Sequence, residues 1–277
     1  MNRTIKIGIS PCPNDTFTFD ALLNAKIDTG EYKFEVFVED VELLNKRSID
    51  NQLDITKLSF GAYPWIADNY VILDSGSALG FGVGPVLVAR EKCQLNQKKY
   101  RIGIPGKYTT ANLLMSILFP EQVDKEEYLF SEIASAVKSG KVDLGLLIHE
   151  GRFTYEDLGL KLIHDLGELW YKKTTLPIPL GCIVASRDLG DKVSNDINNL
   201  IRLSLNYALE HGSAISDFVK DNAQEMNDDV IKKHIDLYVN EYSLDLGIKG
   251  KEVVKFMLKE GANLRVIPQT NSPIFIE

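Results

Sequence analysis

Twice in this chain an apolar strand runs into a short polar loop that opens a helix. The first copy is the strand Ile5–Ile9, the loop Ser10-Pro11-Cys12-Pro13-Asn14-Asp15-Thr16, and a helix carrying Phe17, Phe19, Ala21, Leu22 and Leu23. The second is Arg101–Pro105, the loop Gly106-Lys107-Tyr108-Thr109-Thr110, and a helix over Ala111–Leu118. Strands alternating with helices call for a parallel sheet covered by helices. Ligands of such sheets gather beyond the carboxyl ends of the strands. Both loops therefore fall where binding chemistry is expected.

The other segments extend this plan. Phe34–Val38 alternates as a strand, and Val41–Asp50 is a loosely periodic helix. Ile55–Tyr63 is a short strand entering a loop, and Val71–Asp74 and Val83–Ala89 are further strands. The run Val86–Arg90 is expected to leave the first lobe. The glycine-rich stretch Gly76–Pro85 lacks the spacing of a phosphate loop and is expected to line a cleft as a mobile or tightly turned segment. Tyr128–Phe130 and Val142–Ile148 read as strands around a helix over Ser131–Ser139. Leu160–Ile163 is a strand, Leu166–Lys172 a helix, and Leu176–Ala185 a proline-broken return strand. Helices follow over Leu189–Glu210, Ser213–Asn222, Asp228–Val239 and Gly250–Glu260, and Asn271–Glu277 is expected to pack as an arm.

A chain of 277 residues is long for one core and natural for two α/β lobes. The expected division is a larger lobe of residues 1–92 plus 180–277 and a smaller inserted lobe of 93–179. A formal charge of −8 argues against nucleic acid as a partner. No apolar run approaches the roughly 20 residues of a membrane span. The opening Met1–Ser10 is too short and interrupted for a signal peptide and is expected as the first strand. Cys12, Cys93 and Cys182 have neither metal-ligand spacing nor a disulfide framework, which suits a reduced, cytoplasmic protein.

Candidate site residues come from the loops. The strand ending at Ile148 stops abruptly in His149, Glu150 and Arg152, with Gly151 letting the backbone turn. Histidine has the side-chain pKa closest to neutrality. Lys57 and Ser59 lie two apart on a strand, so both face one side and could hold a carboxylate. Asn14, Asp15 or Thr16 can cap the first helix, and Thr109 or Thr110 the second. Either helix N-terminus, the second with Lys107, offers N–H groups to an anion. Each feature has a plainer alternative: a loop histidine, a solvated lysine, a helix cap. His164, His211 and His234 are expected to be structural or solvated.

Taken in order, Ser10–Phe17, Thr56–Ser59, Gly106–Ala111 and Ile148–Tyr155 resemble the 1,4-dihydroxy-6-naphthoate synthases, menaquinone enzymes of the futalosine pathway. Pro177–Gly181 and Tyr238–Gly247 look like that family too, so the resemblance spans almost the whole chain. It implies a two-lobed fold of the type II periplasmic-binding-protein kind with a central cleft. It implies a lyase that converts cyclic dehypoxanthinyl futalosine, a small anionic substrate, to 1,4-dihydroxy-6-naphthoate. His149 matches the family's proposed proton acceptor. Lys57, Leu58, Ser59, Thr110 and Ala111 match its ligand-contacting positions, and Thr109 and Asn14 stand beside them as substrate-binding candidates. Lys107-Tyr108 and Gly151 depart from the family pattern, which has Arg-His at the first site and can have serine at the second. Aromatisation supplies the driving force, so neither metal nor redox cofactor is required. A chorismate dehydratase of the same pathway and a non-enzymatic solute-binding protein are the competing expectations.

Overall fold

The structure, a computed structural model, describes residues 3–96, 98–149, 151–211, 215–223 and 227–277. Two sheets form the framework. The first is built from β1 (Arg3–Ile9), β2 (Tyr32–Val38), β3 (Ile55–Ser59), β4 (Tyr70–Ile72), β5 (Ala78–Gly80) and β11 (Ile178–Ser186). Its order is β2-β1-β3-β11-β4, with β5 also on β11. The second contains β6 (Val86–Ala89), β7 (Ile102–Ile104), β8 (Lys125–Glu127), β9 (Leu144–Leu147) and β10 (Lys161–Asp165), in the order β10-β6-β9-β7-β8.

Both sheets are mixed. β1 runs parallel to β2 and β3, and β7 runs parallel to β8 and β9. β11 is antiparallel to β3, β4 and β5, and β6 is antiparallel to β9 and β10. The alternating segments thus predict the parallel centre of each sheet, while the strands that carry the chain between lobes enter antiparallel. The expectation for Val86–Arg90 is corrected here. Its residues pair with β9 and β10, so this run opens the second sheet instead of closing the first. Part of the glycine-rich stretch is also a strand, β5, zipped to β11.

The helices are α1 (Pro13–Leu23), α2 (Val41–Ile49), α3 (Thr110–Leu118), α4 (Phe130–Ser139), α5 (Gly151–Thr154) and α6 (Leu166–Thr174). They continue with α7 (Asp191–His211), α8 (Asp217–Asn222), α9 (Asp228–Tyr238), α10 (Glu241–Leu244) and α11 (Gly247–Asn263). The expected helix from Ser213 begins partly outside the described residues. Tyr128–Phe130 is not a strand: pairing ends at Glu127, and Phe130 already begins α4. Alternate residues of β1 (Ile5, Ile7 and Ile9) are fully buried with Phe19 of α1 and Ile197 and Ile201 of α7. The opposite face of that sheet joins a second core, in which Leu58 and Phe60 pack with Ile102, Leu144 and Leu146 of the other sheet. The C-terminal arm lies along β4: Ile72 donates to Ile274 O and accepts from Ile276 N. Among the described residues no helix is long and apolar enough to cross a membrane.

Candidate active site

The carboxyl ends of β1, β3 and β9 and the start of α3 converge on one cavity between the sheets. It holds about 670 Å³, part of it open to solvent. His149, Lys57, Ser59, Thr109, Thr110, Ala111 and Asn14 all line it, joined by Ser10, Cys12, Asp15, His234 and Tyr238. Leu58 does not. Strand alternation turns its side chain into the core, where it is fully buried, so its only reach toward a ligand is through its backbone.

His149 lies two residues beyond the end of β9 at Leu147, with a left-handed backbone at φ 53°. Such a conformation is uncommon outside glycine, although histidine is among the residues enriched there. The imidazole is held on two sides. Cys12 Sγ lies 3.0 Å from Nδ1, and the Phe130 ring meets it edge-on at 4.7 Å. Of the two charged residues that follow His149, Glu150 lies outside the described residues. Arg152 anchors the loop: its guanidinium donates to Gly84 O at 2.7 Å and pairs with Asp165 at 3.0 Å.

Cys12 occupies the N-cap of α1, and Pro13 follows as the first helical residue, where its missing N–H costs nothing. The expectation that Asn14, Asp15 or Thr16 caps this helix is therefore corrected. The N–H groups of Asp15 and Thr16 bond to Cys12 O, no side chain caps, and Asp15 is left to face Lys57. Its carboxylate pairs with Lys57 Nζ and accepts from Ser10 Oγ at 2.5 Å and Asn14 Nδ2 at 2.9 Å. Both charges are almost wholly buried, which a protein tolerates only with such pairing. Lys57, which with Ser59 could hold a carboxylate, lines the cavity already paired with Asp15.

The polar pole opposite is built by α3. Thr109 caps it, accepting from Asn112 N at 3.2 Å. Thr110 and Ala111 then present first-turn N–H groups, which have no partner within a helix. The Thr110 hydroxyl is committed across the lobes, donating to Leu180 O at 2.6 Å and accepting from Gly61 N at 3.1 Å. Ser59 Oγ accepts from Asn45 Nδ2 at 3.2 Å, and its own proton is uncommitted among the described residues. Asn45 is in turn held by Glu42, whose other oxygen accepts from Tyr108 N at 3.1 Å. Burial pushes the Glu42 carboxyl up to about 7, against the opposing pull of these two donors. Gly106 admits this contact: at φ 144° a Cβ there would sit 2.3 Å from Glu42 Cδ.

Of the three histidines expected to be structural or solvated, His211 is exposed and bonds Tyr207 O. His164 is partly buried and stacked on Phe119, and burial lowers its pKa. His234 is different. It lines the cavity, is 1% exposed, and its ring lies 6.3 Å from that of His149. Its position with Ile231, Ile235 and Tyr238 on the buried face of α9 was the available signal.

A two-lobed α/β chain with its polar groups gathered in an inter-lobe cavity has the architecture of periplasmic binding proteins. A Candida albicans protein described as having the generic periplasmic-binding-protein fold superposes with a TM-score of 0.67 at 14% identity, covering 99% of this chain and 98% of that one. Sequence then narrows the class. The menaquinone biosynthesis family model matches residues 5–263, and this chain belongs to that family. A Thermus thermophilus 1,4-dihydroxy-6-naphthoate synthase is 40% identical over 274 residues, covering 99% of this chain and all of the relative. A crystal structure from Archaeoglobus fulgidus has a TM-score of 0.88 at 34% identity, covering 95% of this chain and 97% of its own.

Proposed function

We propose that this chain is a 1,4-dihydroxy-6-naphthoate synthase. It is a carbon–carbon lyase converting cyclic dehypoxanthinyl futalosine to the naphthoate, with loss of a small sugar-derived fragment. The observation that carries the reading is the imidazole of His149 on the wall of the inter-lobe cavity, in a chain similar over its whole length to a curated synthase. His149 is the proton acceptor. Cys12 and Phe130 fix its ring, so the base is oriented before substrate arrives. The first-turn N–H groups of α3 and the Ser59 hydroxyl receive the substrate carboxylate. Lys57 acts through its pair with Asp15, which keeps that wall polar without a net charge. Closure of the lobes excludes water from the intermediate. The lobes divide along the sheets, with the second beginning at β6. The protein works in the cytoplasm on a small anionic molecule.

The test is turnover of cyclic dehypoxanthinyl futalosine by the purified protein, following the product by mass. His149→Ala is expected to remain folded and to lose about 10²–10⁴-fold in kcat, the range of general acid–base catalysis. Near-wild-type turnover in that variant removes His149 from its role. Ligand retained without product identifies a solute-binding protein, and dehydration of chorismate identifies the other enzyme of the pathway.

A further inference from the structure

We infer that His234 is a second substrate-contacting imidazole of this site, whose Nδ1 accepts a hydrogen bond from a substrate or product hydroxyl. The inference rests on the synthase reading for the identity of the ligand, but its geometry is independent of that reading. It begins at the Lys57–Asp15 pair. Asp15, an acceptor on both oxygens, takes a hydrogen bond from Asn14 Nδ2 at 2.9 Å. That fixes the Asn14 amide, so the group 2.9 Å from His234 Nε2 is the carbonyl oxygen of Asn14. An oxygen there requires a donor, and Nε2 carries the proton. Nδ1 is then a bare lone pair.

Among the described residues this Nδ1 has no hydrogen-bond partner, although it is buried. A buried acceptor without a donor is costly and rare in a folded protein. Protonating the ring does not relieve it: burial holds the pKa of His234 well below its ordinary value, and the nearby His149, Lys57 and Arg152 act in the same direction. The ring therefore stays neutral, and its unpaired acceptor belongs to a side chain that lines the cavity beside a second imidazole. A hydroxyl matches this acceptor. The product has two on its ring, and the sugar-derived part of the substrate has others.

The tautomer suggests the discriminating variant. In His234→Gln the amide nitrogen can still donate to Asn14, but nothing replaces Nδ1. A residue that only positions Asn14 is rescued by this change; a substrate contact is not. We expect His234→Gln to keep the wild-type melting behaviour and to lose roughly tenfold or more in kcat/KM, the scale of one lost buried hydrogen bond. In the ¹⁵N-histidine NMR spectrum of the full-length protein, Nδ1 of His234 is expected to resonate as an unbonded pyridine-type nitrogen. It should move upfield when product is added to wild type, or when substrate is added to the inactive His149→Ala variant. A response to product identifies a ring hydroxyl, and a response to substrate alone a sugar-part hydroxyl. Wild-type kinetics in His234→Gln, or an Nδ1 signal unmoved by either ligand while wild type turns over, overturns the His234 assignment and leaves the synthase reading standing. Absent turnover together with absent binding of both ligands overturns the two together.

Discussion

Glu42 is a carboxyl of the first lobe buried against a backbone N–H of the second, and its ionisation should set how stability depends on pH. Burial raises it from 4.5 to about 7. A tenfold change in proton affinity is worth about 1.4 kcal/mol, so the displacement corresponds to about 3 kcal/mol. The folded protein holds the Glu42 proton at pH values where the unfolded chain has released it. The stability it contributes is present in full below pH 4.5, declines as pH rises, and is gone above about 7. Glu42→Gln removes this ionisation. The Gln carbonyl can still accept from Tyr108 N, but its NH₂ then faces Asn45 Nδ2. Asn45 cannot turn to compensate, because its Oδ1 accepts from Ser59 N at 2.9 Å. That mismatch costs about 1 kcal/mol. Urea unfolding of both proteins from pH 4.5 to pH 8 is the assay. The Gln variant should be less stable by about 1 kcal/mol at the acid end and more stable by about 2 kcal/mol at the alkaline end, with the curves crossing between. Taking the difference cancels every other titrating group. A difference that stays flat with pH refutes the argument.

Three further substitutions test the site's construction. Asp15→Asn strands the buried Lys57 charge and should cost about 3–5 kcal/mol in urea unfolding, much of it recovered by adding Lys57→Met. Gly106→Ala drives a methyl group into Glu42 and should lower the denaturation midpoint while freeing the Tyr108 amide to exchange faster in hydrogen–deuterium exchange. His149→Asn and His149→Ala should both be inactive, but Asn tolerates the left-handed backbone better and should keep about 1 kcal/mol more stability in thermal unfolding.

Much of this site was legible because its parts are local. The apolar run before His149 ends in a single step, and a strand end facing a cleft follows from that pattern. Lys57 and Ser59 share a face by strand periodicity alone, and the same periodicity predicts that Leu58 cannot join them with its side chain. A cap at Thr109 or Thr110 was legible from the local sequence, and it is Thr109. The rest depends on chain segments that meet only after folding. Asp15 reaches Lys57 because β1 and β3 lie side by side, with Gly8 opposite Thr56. His234 bonds a residue 220 positions away. Neither adjacency has a local signature. Strand direction was equally hidden: a short run buried on both faces, such as Val86–Ala89, reads the same in either orientation.

The long return strand β11 has a consequence for how the chain acquires its structure. It lies between β3 and β4, and β4 pairs with no other named strand. All of the second sheet stands between β4 and β11 in the chain. On a ribosome, the first lobe therefore emerges as β1, β2 and β3 with an open edge, and β4 has no neighbour to join. The second sheet is complete in one continuous stretch and can close before β11 appears. The first lobe is begun first and finished last, and until Ser186 has emerged its unpaired β3 edge is where nascent chains of this protein are most exposed to mispairing.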